Sequence, residues 1–512
     1  MSKYTKVLKD SYFDSVTLMS LSAKVKKETG ASEVTVLMAT DMNKDLIAKV
    51  GLSTDEVVNA GTNDCVVAVE CDGDAEEAVN AIVAELAAGS SAKKEKKEVT
   101  YHTQAQLYKD LSPNMVVIST PGRFAAREAR VALENGKNVM MFSDNVTEED
   151  EIALKKYAVE RELLMMGPDC GTAIVNGAGL CFANDVRRGS IGIVGASGTG
   201  LQEVTVLIHK QGGGISQALG VGGRDLHSEV GGLMTMQCMK ALNEDPATDT
   251  IVVVSKPPAA DVEAKVIALA ETLNKPVVLI FIDGSREGQE GNVTFCTRLS
   301  DGACKAVEIT NGRLAVSFDL DPSVYETLAA ETAKLAPGQK YLRALYCGGT
   351  LCSESLSIAR NSLQNIRTNL ARKDEEKLAD PLVSEYNTIV DMGDDFFTNG
   401  KPHPMIEPSI RLDRIVQEAN DPETAVILLD FELGYGSHDD PVGITIDAIK
   451  EAQATAEKNG RHIVFAAYIC GTDQDRQNFA ASRKLLEENG VIVTNTNEQA
   501  AILAVKAAEG VQ

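Results

Sequence analysis

The chain has 512 residues, 44% of them hydrophobic, and 74 acidic against 50 basic side chains give it a net charge of −24. Length and hydrophobic content suit about three or four globular domains. The acidic balance, 4% aromatics and absence of tryptophan argue against a nucleic-acid-binding face, but a small anionic substrate stays open, because a few N–H groups and cations dominate at short range.

Residues 1–92 alternate short strands and helices and predict a small α/β sandwich of ferredoxin-like type. "TKVLK", "EVTVLMAT" and "DCVVAVEC" read as strands, "SVTLMSLSAKVKKETG" as a helix closed by Gly30, and "DAEEAVNAIVAELAAG" as a helix ended by Gly89. The charge run "KKEKKE" at 93–98 reads as a solvated linker. From 113 to 185, "NMVVIST", "GRFAAREARVALENG", "NVMMFS", "TEEDEIALKKYAVERE" and "LLMMG" give a β–α–β–α–β pattern, hence a parallel sheet covered on both faces. The alternation resumes over 189–336 and again over 338–512, so everything past residue 100 is α/β.

The last two blocks look like copies. "SGTGLQE" (197–203) is matched by "GGTLCSE" (348–354), "LGVGGRDL" (219–226) by "VDMGDDFF" (390–397), and "LNEDPATDTIVVVSK" (242–256) by "ANDPETAVILLDFEL" (419–433). Each first marker carries small residues at a strand-to-helix junction, where unsatisfied N–H groups and the helix dipole suit an anion. Ser197, Gly198 and Thr199 form one candidate anion turn, Gly349 and Thr350 the other, with Gly222, Gly223, Gly393 and Asp394 on the neighbouring turns. No lysine follows the glycine, so this is not a Walker A loop.

These markers, with "GPDCGTAIVNG" at 167–177 before them, resemble the succinyl-CoA synthetase superfamily of NDP-forming acyl-CoA ligases, and within it the FdrA group. The resemblance covers roughly residues 110–510. It implies a Rossmann-like CoA-binding-type domain over 100–188, with Pro121, Gly122, Pro168, Asp169 and Cys170 on its CoA-like turns. Two flavodoxin-like ligase domains, 189–336 and 338–512, follow, their two helix N-termini facing one phosphate site. CoA is then a candidate ligand, and further protein subunits or a homo-oligomer are expected partners.

The chain departs from that family at the catalytic relay. The synthetases pass phosphate through a histidine after the "KPVV" strand; here "NKPVVLIFIDG" leads into "SREGQEGNVTFCTRL", and no histidine lies between His227 and His403. The glutamate that holds the family's histidine is replaced by Lys256. Lys256 is therefore the expected anion-holding cation, and His403 and His438, on polar turns of the second half, are candidate acids or bases. No spacing identifies a metal site. FdrA-type proteins are similar to subunits of oxamate carbamoyltransferase in purine (allantoin) breakdown, so the first reading is carbamoyl transfer between carbamoyl phosphate and oxamate. An NDP-forming acyl-CoA ligase subunit and a non-catalytic CoA- or anion-binding subunit are the alternatives.

Ten cysteines without a CxxC pair indicate a reducing compartment. The start, "MSKYTKVLKDSYFDS", lacks an apolar signal region, and the longest purely aliphatic or aromatic run, "VVLIFI" at 277–282, is too short to cross a bilayer. A cytoplasmic protein without membrane contact is expected.

Overall fold

The computed structural model describes residues 2–29, 31–91, 100–316 and 318–510. The expected linker at 93–98 and the helix-closing Gly30 lie outside them. The chain divides into two compact units, Met1–His102 and Thr103–Gln512.

In the first unit Cys65–Cys71 is the central strand of an antiparallel sheet, flanked by Ser2–Leu8 and Glu33–Met38. Its side chains alternate between two cores. Cys65, Val67, Val69 and Cys71 meet Leu18, Val25, Val79 and Ile82 on one face; Val66 and Ala68 meet Ile47, Leu52 and Val57 on the other. Helices thus cover both faces of this sheet. The last helix runs Ala75–Ser91, through Gly89; an interior glycine weakens a helix by about 1 kcal/mol without stopping it.

The second unit opens with a parallel sheet of Met115–Ile118, Asn138–Met141 and Met165–Met166. Its helices follow from the sequence. Gly122–Glu134 buries Ala125, Ala129, Ala132 and Leu133 on one stripe, and Glu148–Val159 is capped by Thr147, with four acids in its first turn.

Two larger sheets follow, of eight and six strands. In the first, Arg188–Gly195, Ile215–Gly220, Thr250–Ser255, Val277–Phe281 and Val293–Cys296 run parallel. In the second, Tyr341–Tyr346, Asn387–Asp391, Thr424–Glu432, Val464–Cys470 and Val491–Val493 do the same. Numbered in chain order, both sets lie in the order 2-1-3-4-5. The short hairpin Thr172–Val175 and Ala178–Cys181 joins the eight-stranded sheet, antiparallel to Ile215–Gly220, so residues expected before a boundary at 188 belong to the sheet that follows it.

The strand register makes the duplication concrete. Gly195 pairs with Gly220 and Val254 in the first half; Tyr346 pairs with Asp391, and the Leu345–Leu429 pair sets Asp430 level with it, in the second. Hence Gly220 is equivalent to Asp391, Val254 to Asp430, and Lys256 to Glu432.

One hydrophobic core joins the two sheets. The helices Gly198–Lys210 and Gly349–Arg360 are buried along almost their whole length within it. Each carries a glutamate four residues after its threonine, and each glutamate reaches across. The Tyr468 hydroxyl donates to Glu203 at 2.7 Å; Asn497 Nδ2 and the Leu299 N–H donate to Glu354 at 2.8 and 3.1 Å.

The "GVGGRD" turn is anchored by a buried ion network. Lys155, fully buried, donates to Glu151 and Asp225 at 2.7 Å each and to the Val221 carbonyl at 2.8 Å. Asp225 also accepts the Met234 and Thr235 N–H groups at the start of the next helix. Removing one partner strands buried charge. Lys155→Met is expected to lower stability by about 3–5 kcal/mol in urea unfolding.

Candidate functional site

Both strand sets reverse order between their first and third strands, and ligands of open α/β sheets bind beyond the carboxyl ends at such points. The "SGT" turn and Lys256 stand there in the first half, the "GGT" turn and Glu432 in the second. The structure places the two turns against each other. The Ser197 Oγ and Thr350 Oγ1 hydroxyls are in hydrogen-bond contact, and the Thr350 N–H donates to Thr199 Oγ1 at 3.2 Å. A Cβ built on Gly200 would lie 2.9 Å from Thr350 Cγ2.

The two turns are not equivalent as anion sites. In the second, a protein carboxylate already accepts two of the donors: Asp430 takes the Cys347 N–H at 2.8 Å and the Gly348 N–H at 2.7 Å, while buried Arg411 bonds it at 3.1 Å. In the first, Ser197 caps its own helix at Gly200, and the Gly198 and Thr199 N–H groups donate to none of the described residues. The Gly198 and Thr199 N–H groups of the first turn and the Gly349 N–H of the second are therefore the donors left without an acceptor among the described residues.

Lys256, half-buried, forms no ion pair or hydrogen bond with the described residues. Its Nζ lies 3.5 Å from where a Gly349 Cβ would stand, a point that is 2.4 Å from Asp391 Oδ2. Gly349 thus leaves room for a cation and a carboxylate, one from each half of the chain. Asp391 Oδ1 accepts the Gly393 N–H at 2.9 Å, and its backbone is clamped by Asn369 at 3.0 and 2.8 Å. Burial first, with Asp394 and Asp430 adding to it, pushes the Asp391 carboxyl up to about 6 against the pull of Lys256.

Asp169, on the "GPDC" turn, has φ +56° and keeps its side chain open to solvent within the cleft. Desolvation by the cleft walls, then Asp144 and Asp395, raise its carboxyl to about 7; Lys256 and Arg224 oppose them. The turn is held closely by its neighbours. A Cβ on Gly222 (φ +86°) would lie 2.2 Å from the Pro168 carbonyl oxygen, and Gly198 lies 3.5 Å from Gly171 Cα by the same measure. Cys170 is buried and donates to the Thr172 carbonyl at 3.6 Å. Gly223 is exposed beside the Ala196 carbonyl. Pro121 and Gly122 start a helix against the Asp144–Asn145 backbone, 2.2 Å from a Cβ on Gly122.

His403 stacks on Phe182 with ring centroids 5.7 Å apart, and its Nδ1 accepts the Met405 N–H at 3.2 Å, which assigns the ring proton to Nε2. Burial brings its pKa down to about 4, so it is neutral near pH 7. Nε2 lies against Gly393, 2.4 Å from where a Cβ would stand. His438 accepts the Asp440 N–H at Nδ1 (3.0 Å) and donates its backbone N–H to the Met405 carbonyl (2.8 Å). It serves the loop there, beside the helix that Asp440 caps. Asp394 caps a short helix through the Phe396 N–H rather than presenting donors to an anion.

Cys347, Asp430 and Glu432 place ligand atoms within 4.8 Å of one another. Arg411 and two backbone N–H groups already occupy Asp430, and burial holds the Cys347 thiol well above its ordinary pKa; the grouping reads as a capping network. Sequence reading missed Asp430 and Asp391. A charged residue inside the apolar run "VILLDFEL" was the available signal for the first; the second needs Gly349 across the fold.

Two 2-1-3-4-5 sheets sharing one core, with facing helix starts at their switch points, define an α/β chain of the CoA-ligase superfamily. Family models agree: CoA-ligase matches residues 345–507, CoA binding domain residues 186–282, and AllF, heavy metal-associated domain residues 1–103. The CoA binding match thus falls on the block expected as the first ligase domain, not on 100–188. The chain belongs to the family of the Escherichia coli K12 protein YahF, to which it is 45% identical over 497 residues, 97% of this chain and 96% of that one.

It is also similar to the succinate–CoA ligase [ADP-forming] alpha subunits of Aquifex aeolicus, 28% identical over 35% of this chain and 59% of that one, and of Methanothermobacter thermautotrophicus, 26% over 36% and 62%. The match spans less than two thirds of each subunit. Among solved structures, a Ca. Korarchaeum cryptofilum dinucleotide forming acetyl-coenzyme A synthetase 1 in complex with phosphate and ADP is 16% identical, with 78% of this chain and 84% of that one covered and a TM-score of 0.28. Among the described residues no helix is long and apolar enough to cross a membrane.

The raised Asp391 pKa has a stability consequence. A carboxyl whose folded pKa exceeds its unfolded value contributes stability that is full below the unfolded pKa and lost as pH rises through the folded one. Between about pH 4 and pH 6 Asp391 therefore becomes a cost to the fold. Asp391→Asn is expected to be more stable than wild type at pH 8 by about 2–3 kcal/mol and equal to it near pH 4, as read from urea unfolding at both pH values.

Proposed function

We propose that this site holds an acyl phosphate and transfers its acyl group directly to a nucleophile, without a phosphohistidine. The observation that carries the reading is Lys256: an ammonium without an ion-pair or hydrogen-bond partner among the described residues, 3.5 Å from where a Cβ on Gly349 of the second turn would stand, with that turn bonded to the first, in the position where the resemblance sets the glutamate that holds the relay histidine. A cation cannot hold imidazole N–H, but it stabilises phosphoryl oxygens, by on the order of 4 kcal/mol at 4 Å and an effective dielectric of 20. Positioning and electrostatics supply the rate enhancement.

Carbamoyl phosphate as the acyl phosphate and oxamate as the acceptor suit a site without a relay. The family matches over 186–282 and 345–507 favour the broader reading, in which CoA thiol is the nucleophile at the same site. Both are decided by giving the full chain, co-purified with its native partner subunits, carbamoyl phosphate with oxamate or an acyl phosphate with CoA, and identifying oxalurate or thioester. Lys256→Ala and Gly198→Asp are each expected to slow the productive reaction about 100-fold or more; an unchanged rate in both places the chemistry elsewhere. Binding of either substrate without turnover in any combination supports a regulatory subunit instead.

Neither remaining candidate imidazole is set up as a relay: Nδ1 of both His403 and His438 accepts a backbone N–H. No acid-labile phosphate is expected on either after exposure of the complex to ATP or acyl phosphate, as read by mass spectrometry at alkaline pH. A phosphorylated His403 would restore the ligase-with-relay mechanism.

A further inference from the structure

We propose that Asp391 is the proton-carrying group of this site: its Oδ2 takes the proton of the nucleophile that attacks the acyl phosphate held at the first turn. The inference rests on the acyl-phosphate reading above and adds the group that makes the nucleophile competent.

The geometry selects Asp391 among the carboxylates. Its Oδ1 is fixed by the Gly393 N–H, while Oδ2 accepts no hydrogen bond from the described residues and faces Gly349 beside Lys256 Nζ. Asp430 is consumed by two N–H groups and Arg411, and Glu432 Oε1 lies behind Gly348, 2.8 Å from where its Cβ would stand. Asp394 caps a helix. His403 has its Nδ1 lone pair engaged. The equivalent position in the first half is Gly220, where a side chain would meet the Thr172 carbonyl at 2.5 Å, so only the second half can present a carboxylate here.

The charged and titratable groups around Asp391 come from every packed element: Lys256 from the first sheet, Asp430 from the central strand of the second, Asp394 from its own loop, and the Cys347 and Cys352 thiols from the second turn and its helix. Burial pushes both thiols well above their ordinary range, so the groups that exchange a proton in the field of Lys256 near neutral pH are Asp391 and, on the "GPDC" turn, Asp169; Asp391 is the one whose free oxygen borders the Gly349 space beside Lys256 Nζ.

The step balances without a further reactant. The nucleophile's N–H or S–H electron pair forms the new bond to the acyl carbon, and its proton passes to Asp391 Oδ2. The acyl C–O bond to phosphate breaks, and its electron pair leaves with phosphate, held by Lys256 and the Gly198 and Thr199 N–H groups. Asp391 then returns the proton to solvent or to the departing phosphate.

Sulfate, a tetrahedral dianion that does not titrate near neutrality, separates this proposal from the reading beneath it. Calorimetric titration of sulfate into the full-length chain near pH 6, in buffers of differing ionisation enthalpy, is expected to show proton uptake on binding, because a bound dianion favours the protonated carboxyl. Asp391→Asn should keep the affinity and lose more than about half of that uptake, while Lys256→Ala weakens binding about tenfold or more. Binding that depends on Lys256 with uptake unchanged in Asp391→Asn overturns the proposal and leaves the anion pocket standing. Absence of Lys256-dependent binding overturns both. Asp169→Asn, run in parallel, should leave the Asp391-linked part of the uptake in place; its complete loss there would assign the proton to Asp169 and reject Asp391. In the turnover assay, Asp391→Asn should lower kcat about 100-fold with KM for the acyl phosphate little changed; kcat within about threefold of wild type rejects the base role.

Discussion

The arrangement depends on two helix N-termini buried against each other. Each start carries unsatisfied N–H groups and about half a positive charge, so bringing two together is unfavourable unless something answers the charge. The fold compels the meeting: both helices are buried along nearly their full length in one core shared by two sheets, hooked across by Glu203 to Tyr468 and by Glu354 to the Leu299 N–H. Half of the resulting potential is answered internally, by Asp430 at the second turn and by the Thr199 hydroxyl on the Thr350 N–H. The Gly198, Thr199 and Gly349 N–H groups stay open among the described residues, and Lys256 adds to their potential; on the reading proposed above, an anion from outside completes that balance.

The duplicated halves have kept their topology and diverged in charge. At strand-equivalent positions the first half carries Gly220, Val254 and Lys256, the second Asp391, Asp430 and Glu432. One copy became a pocket of donors and a cation, the other a set of carboxylates in graded environments. Asp430 is fully paired; Glu432 is buried beside it and raised well above the usual carboxylate range, burial first and Asp430 next; Asp391 keeps one oxygen free. A symmetric pair could not both attract a phosphate and accept a proton beside it; the two roles proposed for this cleft rest on the asymmetry between the copies.

How much of this the sequence carries depends on the range of the interaction. The repeats were legible because glycine turns, Asp-Pro starts and apolar strands are local features, and the strand register reproduces the alignment of all three markers. Lys256 was legible because a family position had changed sign. Asp391 was not, because within "VDMGDD" nothing distinguishes it from its neighbours until Gly349 arrives from forty residues upstream, with Lys256 from the other sheet. The Thr172–Cys181 hairpin failed for a related reason: four-residue strands fix no sheet by themselves, and it is pairing of Ala218 with Ile174 that decides. His403 and His438 drew notice as rare titratable residues on polar turns, yet their ring nitrogens serve nearby backbone.

The absence of a relay is consistent with the rest of the site on physical grounds. A phosphorylated intermediate needs a nucleophile with a free lone pair at the anion pocket. The hydroxyls of Ser197 and Thr350 bond each other and Thr199 caps the second helix; the Cys347 and Cys352 thiols are kept protonated by burial; His403 is neutral, with Nδ1 engaged. With each candidate nucleophile so committed, the proposed function leaves the chain to hold, orient and exchange a proton, with the acyl group passing in one displacement from phosphate to its acceptor. On that proposed reading the single step needs a cation and a base at one place, and Lys256 and Asp391 both border the space that a Cβ on Gly349 would fill.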